Sequence, residues 1–158
     1  MVKINTDATF SESNGNGGWG LICRDAAGDV LFAAQVLSGA YQMLYMLKLS
    51  PLCQAIEMVD RLGVGRVVFE TDYPVLQKAT SCGTFDFATL RVLFSDIRFK
   101  LSTRFIEAIV VYAPRICNKP AHVLASMGAG LADGEQREWF ASYPGDVISL
   151  VTGDQAGF

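Results

Sequence analysis

The stretch Arg66-Val67-Val68-Phe69-Glu70-Thr71-Asp72 restricts the fold more than any other part of the chain. It is a short, nearly continuous apolar run, bounded by Gly63 and Gly65 before it and Pro74 after it. Such a run reads as a strand buried on both faces, the kind found inside parallel sheets. Parallel neighbours need crossovers, so the flanking chain must supply helices. The run ends on an acid, and Asp72 would stand on the rim where open α/β sheets bind ligands.

Upstream, three strand-like segments follow one another. Lys3 to Phe10 alternates loosely and carries Asp7 in its middle, although strands are depleted in Asp. Asn14-Gly15-Asn16-Gly17-Gly18 is a strong hairpin signal, and Gly18 to Arg24 is the returning strand. A second turn over Asp25 to Asp29 leads to a third strand, Val30 to Leu37. These form an antiparallel meander. Tyr45, Leu49, Leu52, Ile56 and Val59 then repeat at helical spacing. Pro51 leaves two readings open: a kinked helix from about Gln42, or a fresh start capped by Ser50 with Pro51 in the first turn. Gly63 ends the helix in either case.

Downstream, Tyr73 to Ser81 reads as a short helix and Gly83 to Asp86 as a loop. Phe87, Leu90, Phe94, Ile97 and Leu101 make the clearest amphipathic stripe. Phe105 to Ala113 is a further strand. Asn118 looks like a helix cap, with Pro120 tolerated in the first turn and Leu124, Met127 and Leu131 facing inward. Beyond Gly134 the pattern weakens, and Pro144 to Phe158 reads as a tail. The expectation is an α/β domain over residues 1–134 with a C-terminal extension over 135–158. Its element order is β-β-β-α-β-α-α-β-α, giving a mixed five-stranded sheet flanked by helices.

With 158 residues, 51% hydrophobic and 18% charged, the chain can bury a sizeable core. No apolar run reaches the ~18 residues of a membrane span. The strand pattern is under way by Lys3, which leaves no room for a signal peptide and is compatible with a piece of something longer. Cys23, Cys53, Cys82 and Cys117 are scattered, as expected of reduced thiols in an intracellular protein, nuclear or cytoplasmic. A single histidine argues against zinc. A net charge of -3 means that a polyanion would have to be held by local groups.

If the strands carrying Asp7 and Asp72 are neighbours, their carboxylates lie side by side. Two such groups repel unless a cation joins them, and Mg²⁺ suits that geometry.

Four motifs in order carry a resemblance. They are Asn5-Thr6-Asp7-Ala8; Gly17-Gly18-Trp19-Gly20 with Cys23-Arg24-Asp25-Ala26-Ala27-Gly28; Gly63 with Glu70-Thr71-Asp72; and Pro114-Arg115-Ile116-Cys117-Asn118-Lys119-Pro120-Ala121-His122-Val123-Leu124-Ala125. Together they resemble the type-1 ribonuclease H domain, in the reverse-transcriptase-like version of plant retroelement-derived proteins. The resemblance covers about Lys3 to Leu131. It implies a ribonuclease H-like fold and cleavage of the RNA strand of an RNA–DNA hybrid, with four carboxylates holding two Mg²⁺ ions. Asp7 matches the first carboxylate and Asp72 the third. At the family's spacing the second falls on Lys48 and the fourth on His122. Lysine beside Mg²⁺ is opposed by roughly 8 kcal/mol at 4 Å and an effective dielectric of 20. A neutral imidazole suits Mn²⁺ better than Mg²⁺. Glu57 faces away from the Lys48 direction on the helix, and Glu70 lies ~7 Å down the strand from Asp72.

Asp7, Lys48, Asp72 and His122 are thus the candidate catalytic positions, with Asp7 and Asp72 as candidate metal ligands. The loop residues Asn14, Gly15 and Gly17, together with Asn118, are candidate substrate contacts, because glycines permit close approach of phosphates. Arg91 and Arg98 share a helix face and are further candidates. The expected partner is nucleic acid, RNA–DNA hybrid or double-stranded RNA, with no membrane. Two readings stay open: a Mg²⁺- or Mn²⁺-dependent hybrid endonuclease, and a binding or structural module whose site is neutralised by Lys48.

Overall fold

The computed structural model describes residues 1–38, 44–82, 88–140, 142–143 and 145–155, with side chains for all of these except 44–48, 88–89 and 151–155. The chain opens with β1 (Val2–Ser11), β2 (Asn16–Arg24) and β3 (Val30–Leu37). Then come α1 (Leu44–Arg61), β4 (Arg66–Thr71), α2 (Pro74–Ser81), α3 (Ala88–Arg104) and β5 (Glu107–Tyr112). A 3₁₀ turn (Arg115–Cys117) leads to α4 (Lys119–Ala129), β6 (Gln136–Trp139) and α5 (Gly145–Gln155). The sheet order is β5-β4-β1-β2-β3-β6. β1 is antiparallel to β2 and parallel to β4, and β4 is parallel to β5.

The sheet has six strands rather than the expected five, because β6 pairs antiparallel with β3 through Ala33–Val36. Gln136-Arg137-Glu138-Trp139 has no apolar alternation to announce a strand, and its pairing comes from main-chain groups at the sheet edge. The stretch expected as a tail likewise holds α5, whose Val147 is buried with Ile22, Ala33 and Leu124. Burial against the sheet sustains that helix despite two glycines in its sequence.

One open question closes in favour of a continuous α1 with Pro51 inside it. The helix ends in a left-handed Gly63 at φ 69. The Val64 amide donates to the Val59 carbonyl at 3.3 Å and the Gly63 amide to that of Asp60 at 3.0 Å. Those two bonds satisfy carbonyls that the helix end would otherwise leave open.

The larger core lies on one face of the sheet. There Ile4, Leu21, Phe32, Val67 and Phe69 meet Leu52, Ile56 and Val59 of α1 and Phe94 and Ile97 of α3. The expected amphipathic stripe holds at Phe94, Ile97 and Leu101; Phe87 lies outside the described residues. The other face carries α4, and what seats it there decides the site.

Candidate nucleic-acid site

Gly18 and Gly20 are two apart on β2 and so share one face. A Cβ on Gly20 would lie 2.5 Å from the Ala125 nitrogen, and one on Gly18 2.2 Å from the Ala129 nitrogen. From the helix side, a Cβ on Gly128 would lie 2.7 Å from the Val36 carbonyl oxygen. At these glycines α4 lies with its backbone close against the strands, and Leu124 fills the space beside them against Ile22 and Ala33. On α4 the positions 122, 125 and 129 fall on one stripe, and Asn118 stands just before the helix. Gly20 is also the register partner of Asp7 on β1. A helix pressed onto Gly20 thus carries His122, one turn before Ala125, over Asp7.

Asp7 is 3% exposed. Its Oδ1 accepts the Ala8 amide at 2.7 Å. Its Oδ2 lies 2.7 Å from His122 Nδ1. The parallel ladder between β1 and β4 ends with Thr6 opposite Thr71. Asp7 and Asp72 each follow the last paired residue of that ladder, Asp7 within β1 and Asp72 in the bend just after β4. Arg115 Nε donates to Asp72 Oδ2 at 3.3 Å. The Arg115 side chain is 64% exposed, so the rest of its guanidinium faces solvent.

Asn118 does not reach outward. It is fully buried, and its Nδ2 donates to the Thr6 carbonyl at 2.9 Å. Its own carbonyl accepts the His122 amide at 3.1 Å, as expected where a helix begins. The residue expected to touch substrate instead ties the start of α4 to the residue before Asp7. The hairpin residues also sit apart from the acids. Asn14 Nδ2 donates to the Ala129 carbonyl at 3.0 Å, at the far end of α4 from His122 and about 10 Å along its axis. Gly15 takes φ 70 in the turn, and Gly17 supplies a carbonyl to Ser38 at 2.8 Å.

Glu57 ion-pairs with Lys100 at 3.5 Å, away from the site. Glu70 is held by Asn5 at 2.6 Å and lies 3.7 Å from Lys3. Arg98 is tied to the Ala79 carbonyl at 2.7 Å, joining α3 to α2, whereas Arg91 is exposed. Lys48 belongs to α1, but its side chain lies outside the described residues.

Arg115 is the residue that reasoning from sequence missed. It stands three residues before Asn118 in a motif noted for other members, and its contact with Asp72 depends on the turn that joins β5 to α4.

Two divalent ions need several oxygen ligands converging on a shared position. Among the described residues, no three of His, Cys, Asp and Glu gather closely enough to hold a metal ion. Asp7 and Asp72 each already hold a basic side chain. The donor set among the described residues does not fit the two-ion arrangement that the resemblance implies. What it can do is present an imidazole fixed by Asp7, inside β1, and a guanidinium fixed by Asp72, just after β4.

Comparison with known proteins places this geometry. Residues 5–128 match the reverse transcriptase-like family. No curated protein sequence matches. Ribonuclease H1 of the halophilic archaeon Halobacterium salinarum superposes with a TM-score of 0.73 at 17% identity, covering 83% of this chain and 98% of that one. The N-terminal ribonuclease H domain of a Mycobacterium tuberculosis protein gives 0.70 at 19%, covering 82% and 93%. LC11 ribonuclease H1, isolated from compost by a metagenomic approach and solved with an RNA/DNA hybrid, gives 0.71 at 20%, covering 82% and 97%. At such identities the likeness is one of fold.

Proposed function

Because the chain belongs to the reverse transcriptase-like family and has the ribonuclease H fold, we propose that it is a nucleic-acid-binding domain that holds RNA–DNA hybrid or double-stranded RNA without metal-dependent cleavage. One observation carries this reading. Asp7, inside β1, and Asp72, just after β4, are both engaged by basic side chains from a single segment, Asp7 by His122 at 2.7 Å and Asp72 by Arg115 at 3.3 Å.

A carboxylate paired with a guanidinium has less charge to offer a divalent cation. The same pairing orients Arg115, and an exposed guanidinium fixed at one nitrogen is a good phosphate donor at the others. Duplexes containing RNA are recognised mainly by shape, 2′-hydroxyls and phosphates across a wide minor groove. A site with one oriented arginine and little net charge fits that mode better than base-specific reading. With Lys48 at the second carboxylate position and His122 at the fourth, the ligand count falls further.

The test is hybrid binding and cleavage by wild type, Asp7→Asn, and the double change Lys48→Glu with His122→Asp. The expected wild type retains hybrid at low salt and leaves it intact in Mg²⁺ and in Mn²⁺. Cleavage by wild type that disappears in Asp7→Asn would overturn the non-cleaving part. Failure of wild type to bind any RNA-containing duplex at low salt would overturn the whole reading.

A further inference from the structure

The two edges of the sheet are built differently. β6 is four residues long and reads Gln136-Arg137-Glu138-Trp139. A short, charged edge is one of the ways in which sheets discourage further pairing. β5 reads Glu107-Ala108-Ile109-Val110-Val111-Tyr112, with no proline, no lysine and an unbroken register against β4. The Glu107 amide donates to the Gly65 carbonyl at 3.1 Å and the Ala113 amide to that of Thr71 at 2.9 Å. Odd-numbered residues therefore turn their main-chain groups toward β4, and Ala108, Val110 and Tyr112 turn theirs outward.

The surroundings of that edge are apolar. Ile109 is 46% exposed and Tyr112 49%. Along the neighbouring α3, Val92, Ser95, Phe99 and Ser102 form one exposed stripe, with Val92 at 79% and Phe99 at 64%. Ser95, Phe99, Ser102 and Ile109 line a groove that runs beside β5. Edge strands of this kind are templates for another strand.

We propose that the β5 edge pairs antiparallel with the same edge of a second copy, about a two-fold axis through Val110. The charges decide in favour of a second copy. About that axis Val110 meets its own counterpart, Ala108 meets Tyr112, and Ile109 meets Val111. Glu107, the one charged residue of β5, meets Ala113 rather than another acid, and keeps Arg66 at 3.9 Å. No like charges oppose each other, small sits against large, and the outward main-chain groups of Ala108, Val110 and Tyr112 are satisfied reciprocally. A one-residue slip would turn the wrong main-chain groups to the partner. A charged foreign strand finds little to select it. The cation lining the groove, Arg98, already donates to the Ala79 carbonyl at 2.7 Å.

Sedimentation velocity of the whole chain over two decades of concentration tests this, alongside Ile109→Lys and Phe99→Glu. Both replaced side chains are exposed, and circular dichroism melts check that the monomer still folds. The expected result is a concentration-dependent doubling of mass in wild type, lost in both variants. Amide exchange at Ala108, Val110 and Tyr112 should be slower in wild type than in Ile109→Lys. A wild type that stays monomeric throughout overturns the proposal, as does a dimer that survives both substitutions. Protection of those amides only on adding a different protein would assign the edge to a foreign strand and also overturn it.

Discussion

His122 Nδ1 and Asp7 Oδ2 lie 2.7 Å apart although 115 residues separate them in the chain. The contact joins the first turn of α4 to the middle of β1, and Asp7 is almost wholly removed from water. Truncating His122 would leave that carboxylate short of one partner. His122→Ala is expected to cost about 1–3 kcal/mol in urea unfolding. In a double-mutant cycle with Asp7→Asn the two changes should be non-additive by more than about 0.5 kcal/mol. Strict additivity would mean that the contact contributes nothing.

The approach of α4 to β2 predicts a second result. Gly20→Ala should destabilise by about 1–3 kcal/mol, since the new methyl meets main-chain atoms that cannot rotate away. Gly145→Ala, with nothing within 4 Å of the added carbon, should change stability by less than about 0.5 kcal/mol. Equal effects at both glycines would count against backbone-to-backbone seating.

Arg115→Ala separates binding from stability. The Arg115–Asp72 pair is largely exposed on the arginine side, so its loss should cost less than about 1 kcal/mol in unfolding. Hybrid affinity should fall, and the salt dependence of binding should lose about one counterion. An unchanged salt slope would show that Arg115 touches no phosphate.

The cysteines should react in the order of their burial. Cys82 and Cys117 are exposed and should alkylate rapidly in the native protein. Cys53 should lag, its thiol pushed up chiefly by burial. Cys23 is fully buried, and desolvation, with Asp25 adding to it, raises its thiol from 9.0 to about 12. It should label only on unfolding. The sign of the linked stability follows. Between pH 9 and about 12 the unfolded chain gives up the Cys23 proton while the folded chain keeps it. Stability should fall as pH rises through that window, and Cys23→Ala should remove this part of the slope. Native labelling of all four thiols at one rate would contradict the burial.

Much of the sheet was legible because its signals are local. Hairpin glycines announced β1, β2 and β3, and the apolar run ending at Asp72 announced β4. β6 and α5 were not legible, since one is four residues long with Trp139 as its sole apolar side chain and the other is sustained by Val147 reaching a pocket formed by β2, β3 and α4. The course of α1 through Pro51 was undecided for a similar reason, because a proline tolerated in a first turn and one tolerated inside a packed helix look alike in the chain.

The amino-acid order alone determined that Asp7 lies on the first strand, Asp72 at the end of the fourth, and His122 near the start of a late helix. Only the tertiary structure decided what those groups meet: His122 for Asp7, Arg115 for Asp72, and the main chain of Thr6 for Asn118. The reason is distance. Strand and turn preferences act over a few residues. The height of α4 above the sheet depends on glycines at positions 18, 20 and 128 meeting across the fold, and a displacement of one methyl would move an imidazole off its carboxylate.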